Sequence, residues 1–344
     1  MPGDPQAAAD LESWSTALAL GAILLIAIVV LAVAGRRGHP RSPLLWVSAG
    51  MERITGIPGW AGAAVGLGAW SLLFAGAGFY NDVAWHVGRG RDKELFTDPH
   101  TMIVIGLGGI ALAAAVGILF ATLQRVDTKL RFKNLRIPHS LVPLGLLGLC
   151  ALSGFPLDEL WHRGYGVDVT MWSPTHLLMI CGAVFSLVAG LLVLAEADVP
   201  VRRNGWTRFA YGLAALLVLA GFNALLGEFR FGVPQFQQLY HPVLLAITSG
   251  FTFTALRLAL GRWWGIGVAA VTFLPEVIGL SGTGGTTTDF VPTRATGMFV
   301  VSAVVVELLA AVLGTERRLR FAIASGVGVA TLGFAGEYAW NRGA

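Results

Sequence analysis

Long apolar runs separated by short polar segments dominate the pattern of this chain. A helix needs about 20 apolar residues to cross the hydrocarbon core of a bilayer, and about ten runs come close to that length. The runs cover residues 17–34, 59–79, 100–123, 141–155, 176–194, 207–226, 241–260, 264–280, 294–313 and 319–340. The fourth run is short, and the eighth contains Pro275 and Glu276. The pattern predicts an all-α fold, a polytopic membrane bundle of about ten transmembrane helices.

The composition agrees with a membrane protein. Hydrophobic residues make up 55% of the 344 residues, charged residues make up 13%, and the mean hydropathy is +0.69. Because soluble domains carry about 25% charged residues, the composition excludes a soluble enzyme. The net charge of +4 does not indicate a nucleic-acid partner, since the basic residues are spread between the apolar runs and form no single patch.

Most basic residues fall on one side of the predicted membrane. They cluster after the first, third, fifth, seventh and ninth apolar runs. Cytoplasmic loops are enriched in Lys and Arg, so the pattern predicts an integral protein of the inner or cell membrane with its N-terminus outside. The loops that follow the even-numbered runs are then extracytoplasmic as well.

One polar pattern occurs twice in these outer segments. It reads Asp-x-x-Trp-His, followed by thirteen residues and a second His. The two copies contain Asp82, His86 and His100, and Asp158, His162 and His176. Ionisable residues in a chain this apolar are costly and mark functional sites. We therefore take these six residues as the main functional candidates.

The spacing within each copy suits a metal site. If the helix continues through residue 86, Asp82 and His86 lie one turn apart on one face, and the loop can bring His100 beside them. Two histidines and one carboxylate are typical of non-haem iron, and sites rich in imidazole also suit copper or zinc. Three ligands leave coordination positions open, as in catalytic sites. Haem is the rival interpretation, but it needs no carboxylate, and the chain lacks a C-x-x-C-H motif.

Weaker copies of the same unit follow along the chain. A third has Asn223, Glu228 and His241, in which Glu228 and His241 could add a ligand or handle protons, or only solvate a loop. A fourth has Glu276 and Arg294.

The final helix repeats half of the unit, with Glu337 and Asn341 where the first copy has Asp and His. We predict one integral membrane domain over residues 1–344. It consists of an N-terminal helix and cytoplasmic loop (1–56), then repeated helical hairpins and a final half repeat (57–344).

The second copy resembles a known family. Its segment Asp158-Glu159-Leu160-Trp161-His162, followed by Ser173-Pro174-Thr175-His176, resembles the C subunit of the copper membrane monooxygenases, the particulate methane and ammonia monooxygenases. That subunit carries a D-x-x-W-H segment followed by a T-P-S-H-like segment. The resemblance covers residues 78–103 and 154–180. It implies copper bound by the Asp and two His of each copy, dioxygen chemistry on a small apolar substrate, and partner subunits.

The leading functional prediction is a membrane metalloprotein that oxidises a small lipophilic substrate, or a subunit of such a monooxygenase. Copper is the expected metal, with iron or zinc as alternatives. The alternative functions are a non-catalytic metal-binding subunit of a larger membrane complex and a metal transporter. The expected partners are the lipid bilayer and other membrane subunits or further copies of this chain, and no nucleic acid.

Overall fold

Apolar helices dominate the computed structural model of this protein. It describes residues 11–37, 43–89, 95–166, 171–201, 204–232, 237, 240–277, 282–284, 290–292 and 296–343. By contacts the chain divides into two compact units, Met1–Ala210 and Tyr211–Ala344. The all-α prediction is confirmed for the described residues, because the strands form just two short antiparallel pairs. The prediction of a single membrane domain stays a prediction.

Among its described residues, the first unit contains six complete helices. They are α1 (Leu11–Arg37), α2 (Pro43–Thr55), α3 (Gly59–Arg89), α4 (Asp98–Leu123), α5 (Leu141–Tyr165) and α6 (Pro174–Glu196). Strands β1 (Arg131–Phe132) and β2 (Leu135–Arg136) pair between α4 and α5. The unit boundary falls inside α7 (Gly205–Ala224). The segment predicted as a cytoplasmic loop after α1 therefore contains a helix, α2.

The second unit contains the remaining elements. They are α8 (Gly227–Arg230), α9 (Tyr240–Ala259), α10 (Trp264–Val277), β3 (Gly282–Gly284), β4 (Phe290–Pro292), α11 (Gly297–Leu313), α12 (Arg318–Gly328), a π-helical turn (Val329–Gly333) and α13 (Phe334–Gly343). Strands β3 and β4 pair with each other. The π-helical turn joins α12 and α13 into one continuous apolar segment.

Eight described helices are long and apolar enough to cross a membrane, two fewer than the ten apolar runs of the sequence. The two runs that fall short are those of α10 and α11, which have 14 and 17 residues. At a rise of about 1.5 Å per residue these helices measure about 21 and 26 Å, less than the roughly 30 Å of a hydrocarbon core. The neighbouring residues 278–281 and 293–295 lie outside the described part.

Four helices of the first unit pack as two similar hairpins, α3 with α4 and α5 with α6. In the first, a Cβ on Gly78 of α3 would lie 2.9 Å from the backbone of Pro99 and Ile103 in α4. In the second, a Cβ on Gly154 of α5 would lie 3.1 Å from the backbone of Thr175 and Met179 in α6. Each contact in the second hairpin lies 76 positions after its counterpart. The glycines therefore allow the same close helix contact in both copies, just beside the candidate ligands.

Two helices extend past the apolar runs that predicted them. The second run ends at residue 79, but α3 continues to Arg89. The fourth run ends at residue 155, but α5 continues through Pro156 to Tyr165. Hydropathy marks the part of a helix that faces lipid, whereas the helix itself continues into polar residues as long as its backbone hydrogen bonds are made. These extensions carry the aspartates and first histidines of both copies.

Candidate metal centre

The first group of ligands, which we call triad 1, consists of Asp82, His86 and His100. Asp82 and His86 lie one turn apart near the C-terminal end of α3, as the sequence predicted. His100 is the third residue of α4, whose first turn is fixed by Thr97: the Thr97 hydroxyl accepts a hydrogen bond from the His100 backbone N–H. This side-chain cap and the proline at the start of the helix hold the His100 ring at the end of the hairpin.

The second group, triad 2, consists of Asp158, His162 and His176. Asp158 and His162 lie one turn apart near the end of α5. His176 is the third residue of α6, and the hydroxyl of Ser173 caps this helix by accepting a hydrogen bond from the His176 backbone N–H. The two hairpins therefore use the same local device to place the second histidine.

The structure brings the three side chains of each triad together. In triad 1, Asp82 Oδ1 lies 3.4 Å from His86 Nε2 and 3.1 Å from His100 Nε2. One potential ligand atom from each of the three residues lies within 4.8 Å of the other two. One oxygen of the carboxylate thus faces both rings.

Triad 2 repeats this arrangement. Asp158 Oδ2 lies 3.6 Å from His162 Nε2 and 3.2 Å from His176 Nε2, and its three ligand atoms also lie within 4.8 Å of one another. The ring centroids of the two histidines are 6.2 Å apart in both triads. The Asp and the two His of each copy therefore lie close together, as the sequence predicted.

These distances fit a shared metal ion. Two ligand atoms about 2.1 Å from one ion, at roughly 90–110° to each other, lie about 3.0–3.5 Å apart. The four oxygen–nitrogen distances run from 3.1 to 3.6 Å. Among the described residues, these two triads are the groups of three or more His, Cys, Asp or Glu side chains that could hold a metal ion.

The His100 ring is oriented for coordination. Its Nδ1 lies 3.1 Å from the backbone carbonyl of Leu95. A carbonyl only accepts hydrogen bonds, so Nδ1 carries the hydrogen, and a neutral ring then turns the lone pair of Nε2 towards Asp82. Metal-binding histidines are commonly fixed by a carbonyl in this way.

The carboxylate of Asp82 supports the same interpretation. Its Oδ1 atom is buried and accepts no hydrogen bond of acceptable geometry, although two ring nitrogens lie close to it. A buried acceptor without a donor costs about 1–3 kcal/mol, and a lone pair on Nε2 facing it adds repulsion. A cation between the three atoms removes both costs. The residues of triad 1 therefore fit a metal ion.

Apolar side chains border triad 1. The ring of Phe155, which is 7% exposed, lies edge-on against the His100 ring at 5.7 Å. Phe155 also packs with the buried Leu95 and Val104, and partly buried apolar residues surround this cluster: Leu20, Phe96, Leu152 and Met179. The six ligand side chains themselves are 14–30% exposed. Triad 1 thus combines an apolar border with partly exposed candidate ligands.

Three contributors were absent from the sequence prediction. They are the Leu95 carbonyl, the Phe155 ring and the hydroxyl of Thr175, which donates a hydrogen bond to Asp158. Backbone carbonyls carry no residue signature. The position of Thr175 directly before His176 was the available signal for the hydroxyl.

The accessory candidates all lie in the second unit, whereas the triads lie in the first. Asn223 is 2% exposed in α7, and Glu228 is buried in the short helix α8. His241 is the second residue of α9 and stacks on Phe229 with ring centroids 4.6 Å apart. The accessory role stays a prediction. Of the fourth copy, Arg294 and the side chain of Glu276 lie outside the described residues.

The half repeat at the end of the chain carries a carboxylate with a different role. Glu337 accepts hydrogen bonds from the backbone N–H of Met298 at 2.8 Å and from Asn341 Nδ2 at 3.1 Å. It thereby caps α11, whose N-cap residue Thr296 makes no side-chain cap. Hydrogen-bond donors satisfy this carboxylate, so it needs no cation.

Comparisons with known proteins found no match. No family model, no curated protein and no solved structure matches the chain.

Proposed function

We propose that each triad binds one transition-metal ion, and that the protein is a membrane metalloprotein of the copper-dependent monooxygenase class. The observation that carries the proposal is the single carboxylate oxygen facing two Nε2 atoms at 3.1–3.6 Å, which occurs in both hairpins. One such group could arise from an ion pair. Two groups with the same spacing and the same helix cap point to a conserved chemical task within the chain.

The donor set favours a transition metal. Two imidazoles and one carboxylate suit copper, iron and zinc, whereas magnesium and calcium prefer oxygen ligands. Among the three, copper is supported by the resemblance of the segment from Asp158 to His176 to the copper membrane monooxygenases. Three ligands leave room for a further molecule, as in catalytic sites.

The proposed reaction is the oxidation of a small lipophilic substrate. The balanced reaction is R–H + O₂ + 2 e⁻ + 2 H⁺ → R–OH + H₂O, with a quinol as the class of electron donor. Bound copper would supply the activation of dioxygen. Phe155 and Leu95 would bind an apolar substrate and exclude water, while the aspartates offset the positive charge of the ions.

We place the triads at the extracytoplasmic surface. The support is the distribution of basic residues, because seventeen of the 24 Lys and Arg follow the odd-numbered apolar runs and seven lie on the side of the triads. A site at this surface is reached by substrates from the lipid and by metal from outside the cell.

The test uses the full chain in lipid nanodiscs, loaded with Cu²⁺ and supplied with a quinol, a short-chain alkane and isotope-labelled dioxygen. We expect labelled oxygenated product from the wild type and none from the double variant Asp82→Asn, Asp158→Asn. Bound copper without product would contradict the monooxygenase and favour the non-catalytic metal-binding subunit. Accumulation of copper inside vesicles, lost in the double variant, would favour the transporter. A wild type that binds no metal would overturn the proposal entirely.

A further inference from the structure

The two triads differ at the residue directly before the second histidine. In triad 2 this residue is Thr175, whose buried hydroxyl donates a hydrogen bond to Asp158 Oδ1 at 2.5 Å. In triad 1 the same position holds Pro99, which has neither a hydroxyl nor a backbone N–H to donate. The two sites are alike in their ligands but not in what supports the carboxylate.

Thr175 belongs to a short chain of hydrogen bonds. The hydroxyls of Ser173 and Thr175 lie 3.3 Å apart. Because Thr175 gives its one hydrogen to the carboxylate, the hydrogen between the two hydroxyls comes from Ser173. Ser173 in turn accepts from the backbone N–H of His176. The first turn of α6 is thus linked through two hydroxyls to the carboxylate of Asp158.

This link fixes how Asp158 meets a metal ion. With Oδ1 held by Thr175, the other oxygen, Oδ2, faces His162 and His176. The carboxylate is therefore positioned as a ligand through one oxygen before any ion arrives. Outer hydrogen bonds of this kind typically change metal affinity by about 10–100-fold, since the protein loses less conformational freedom on binding.

We propose that Thr175 is a positioning residue that makes triad 2 the tighter of the two metal sites, so that triad 2 fills first when metal is scarce. This inference rests on the proposed metal binding and adds an order of loading to it. Triad 1, without the hydroxyl, exchanges its ion more readily.

The test measures Cu²⁺ binding in nanodiscs by titration and by electron paramagnetic resonance (EPR). Single-site backgrounds give reference spectra: His86→Ala reports triad 2, and His162→Ala reports triad 1. With one equivalent of Cu²⁺, the wild type should give the triad 2 spectrum. In the His86→Ala background, Thr175→Val should weaken binding about 10–100-fold, and Thr175→Ser should restore it.

A matched control is Thr331→Val, because the Thr331 hydroxyl bonds to carbonyls of its own helix in the second unit. It should leave both affinities unchanged. Two bound ions with no loss of affinity in Thr175→Val would overturn the inference and leave the metal proposal standing. Should Thr175→Val not fold, the order of loading in the wild type decides alone, and a triad 1 spectrum at one equivalent overturns the inference. A wild type without bound copper overturns the proposed function instead.

Discussion

Carboxylates at matching positions of the repeat have opposite surroundings. Asp82 Oδ1 is buried near two ring nitrogens and accepts no well-formed hydrogen bond, whereas Glu337 accepts from a backbone N–H and a side-chain amide. The residue one turn later explains the difference: it is His86 in the first copy and Asn341 in the last. An amide donates a hydrogen to the carboxylate, but a neutral imidazole can face it with a lone pair.

The variant Asp82→Asn should therefore strongly weaken metal binding at triad 1 without harming the fold. We expect Asp82→Asn to weaken Cu²⁺ binding there by more than the roughly 100-fold upper range of outer-shell changes, because a direct ligand and its charge are lost. Thermal unfolding of the metal-free protein should stay unchanged or rise, since the new amide can donate to a ring nitrogen.

The matched variant is Glu337→Gln. The amide nitrogen of the new Gln cannot accept a hydrogen bond, so either the Met298 N–H or the Asn341 amide loses its acceptor. We expect a loss of about 1–3 kcal/mol in the free energy of unfolding. Metal binding should stay unchanged. Metal titration and thermal unfolding of both variants provide the check. Full metal content in Asp82→Asn would contradict a direct role for this carboxylate.

At the scale of helices, the hairpins depend on close contact beside the triads. A Cβ on Gly78 would meet Met102 Cβ at 2.8 Å and the backbone of Pro99 and Ile103 at 2.9 Å. Backbone atoms cannot move aside as a flexible side chain can. An added methyl group must therefore push α4 away from α3, and with it His100 away from Asp82.

We expect Gly78→Ala to cost about 1–3 kcal/mol of stability, as overpacking typically does. It should also weaken metal binding at triad 1 and spare triad 2. The control is Gly66→Ala in the same helix, because a Cβ there meets nothing within 4 Å. Thermal unfolding and Cu²⁺ titration of both variants test this. Equal behaviour of the two variants would contradict the packing argument.

The sequence predicted the positions of most helices, but not all of their ends. The apolar runs located the helices, and the spacing of Asp158 and His162 predicted a shared face. The ends of α3 and α5 were missed because hydropathy records lipid contact and not helical hydrogen bonding. A proline commonly ends a helix, so Pro156 favoured an end at residue 155, yet α5 continues through it.

The support around the ligands could be predicted even less. The contact of Phe155 with His100 and the hydrogen bond of His100 to the Leu95 carbonyl depend on how separate segments pack. Residues that are distant in sequence, or backbone atoms that every residue has, leave no local pattern. The candidate ligands themselves were found because they occur twice at equal spacing.

For the whole molecule, eight described helices are able to cross a membrane, and the basic residues predict which side is cytoplasmic. Tyr165 lies at the triad end of α5 and is 77% exposed. Lys129 is exposed in the loop between α4 and β1, at the opposite end of the hairpin.

We expect single cysteines to report this orientation. In a background with Cys150→Ser and Cys181→Ala, a membrane-impermeant thiol reagent should label Tyr165→Cys in intact cells. It should label Lys129→Cys only after the cells are made permeable. The reverse labelling would contradict an extracytoplasmic position of the triads.

The number of metal ions per chain shows whether each triad binds an ion of its own. Elemental analysis of the purified full chain, loaded with Cu²⁺ and freed of excess, should give about two ions per chain, one for each three-ligand group. The double variant His162→Ala, His176→Ala should keep one, and adding His86→Ala and His100→Ala should leave none. An unchanged metal content in the double variant, or no metal in the wild type, would contradict the account.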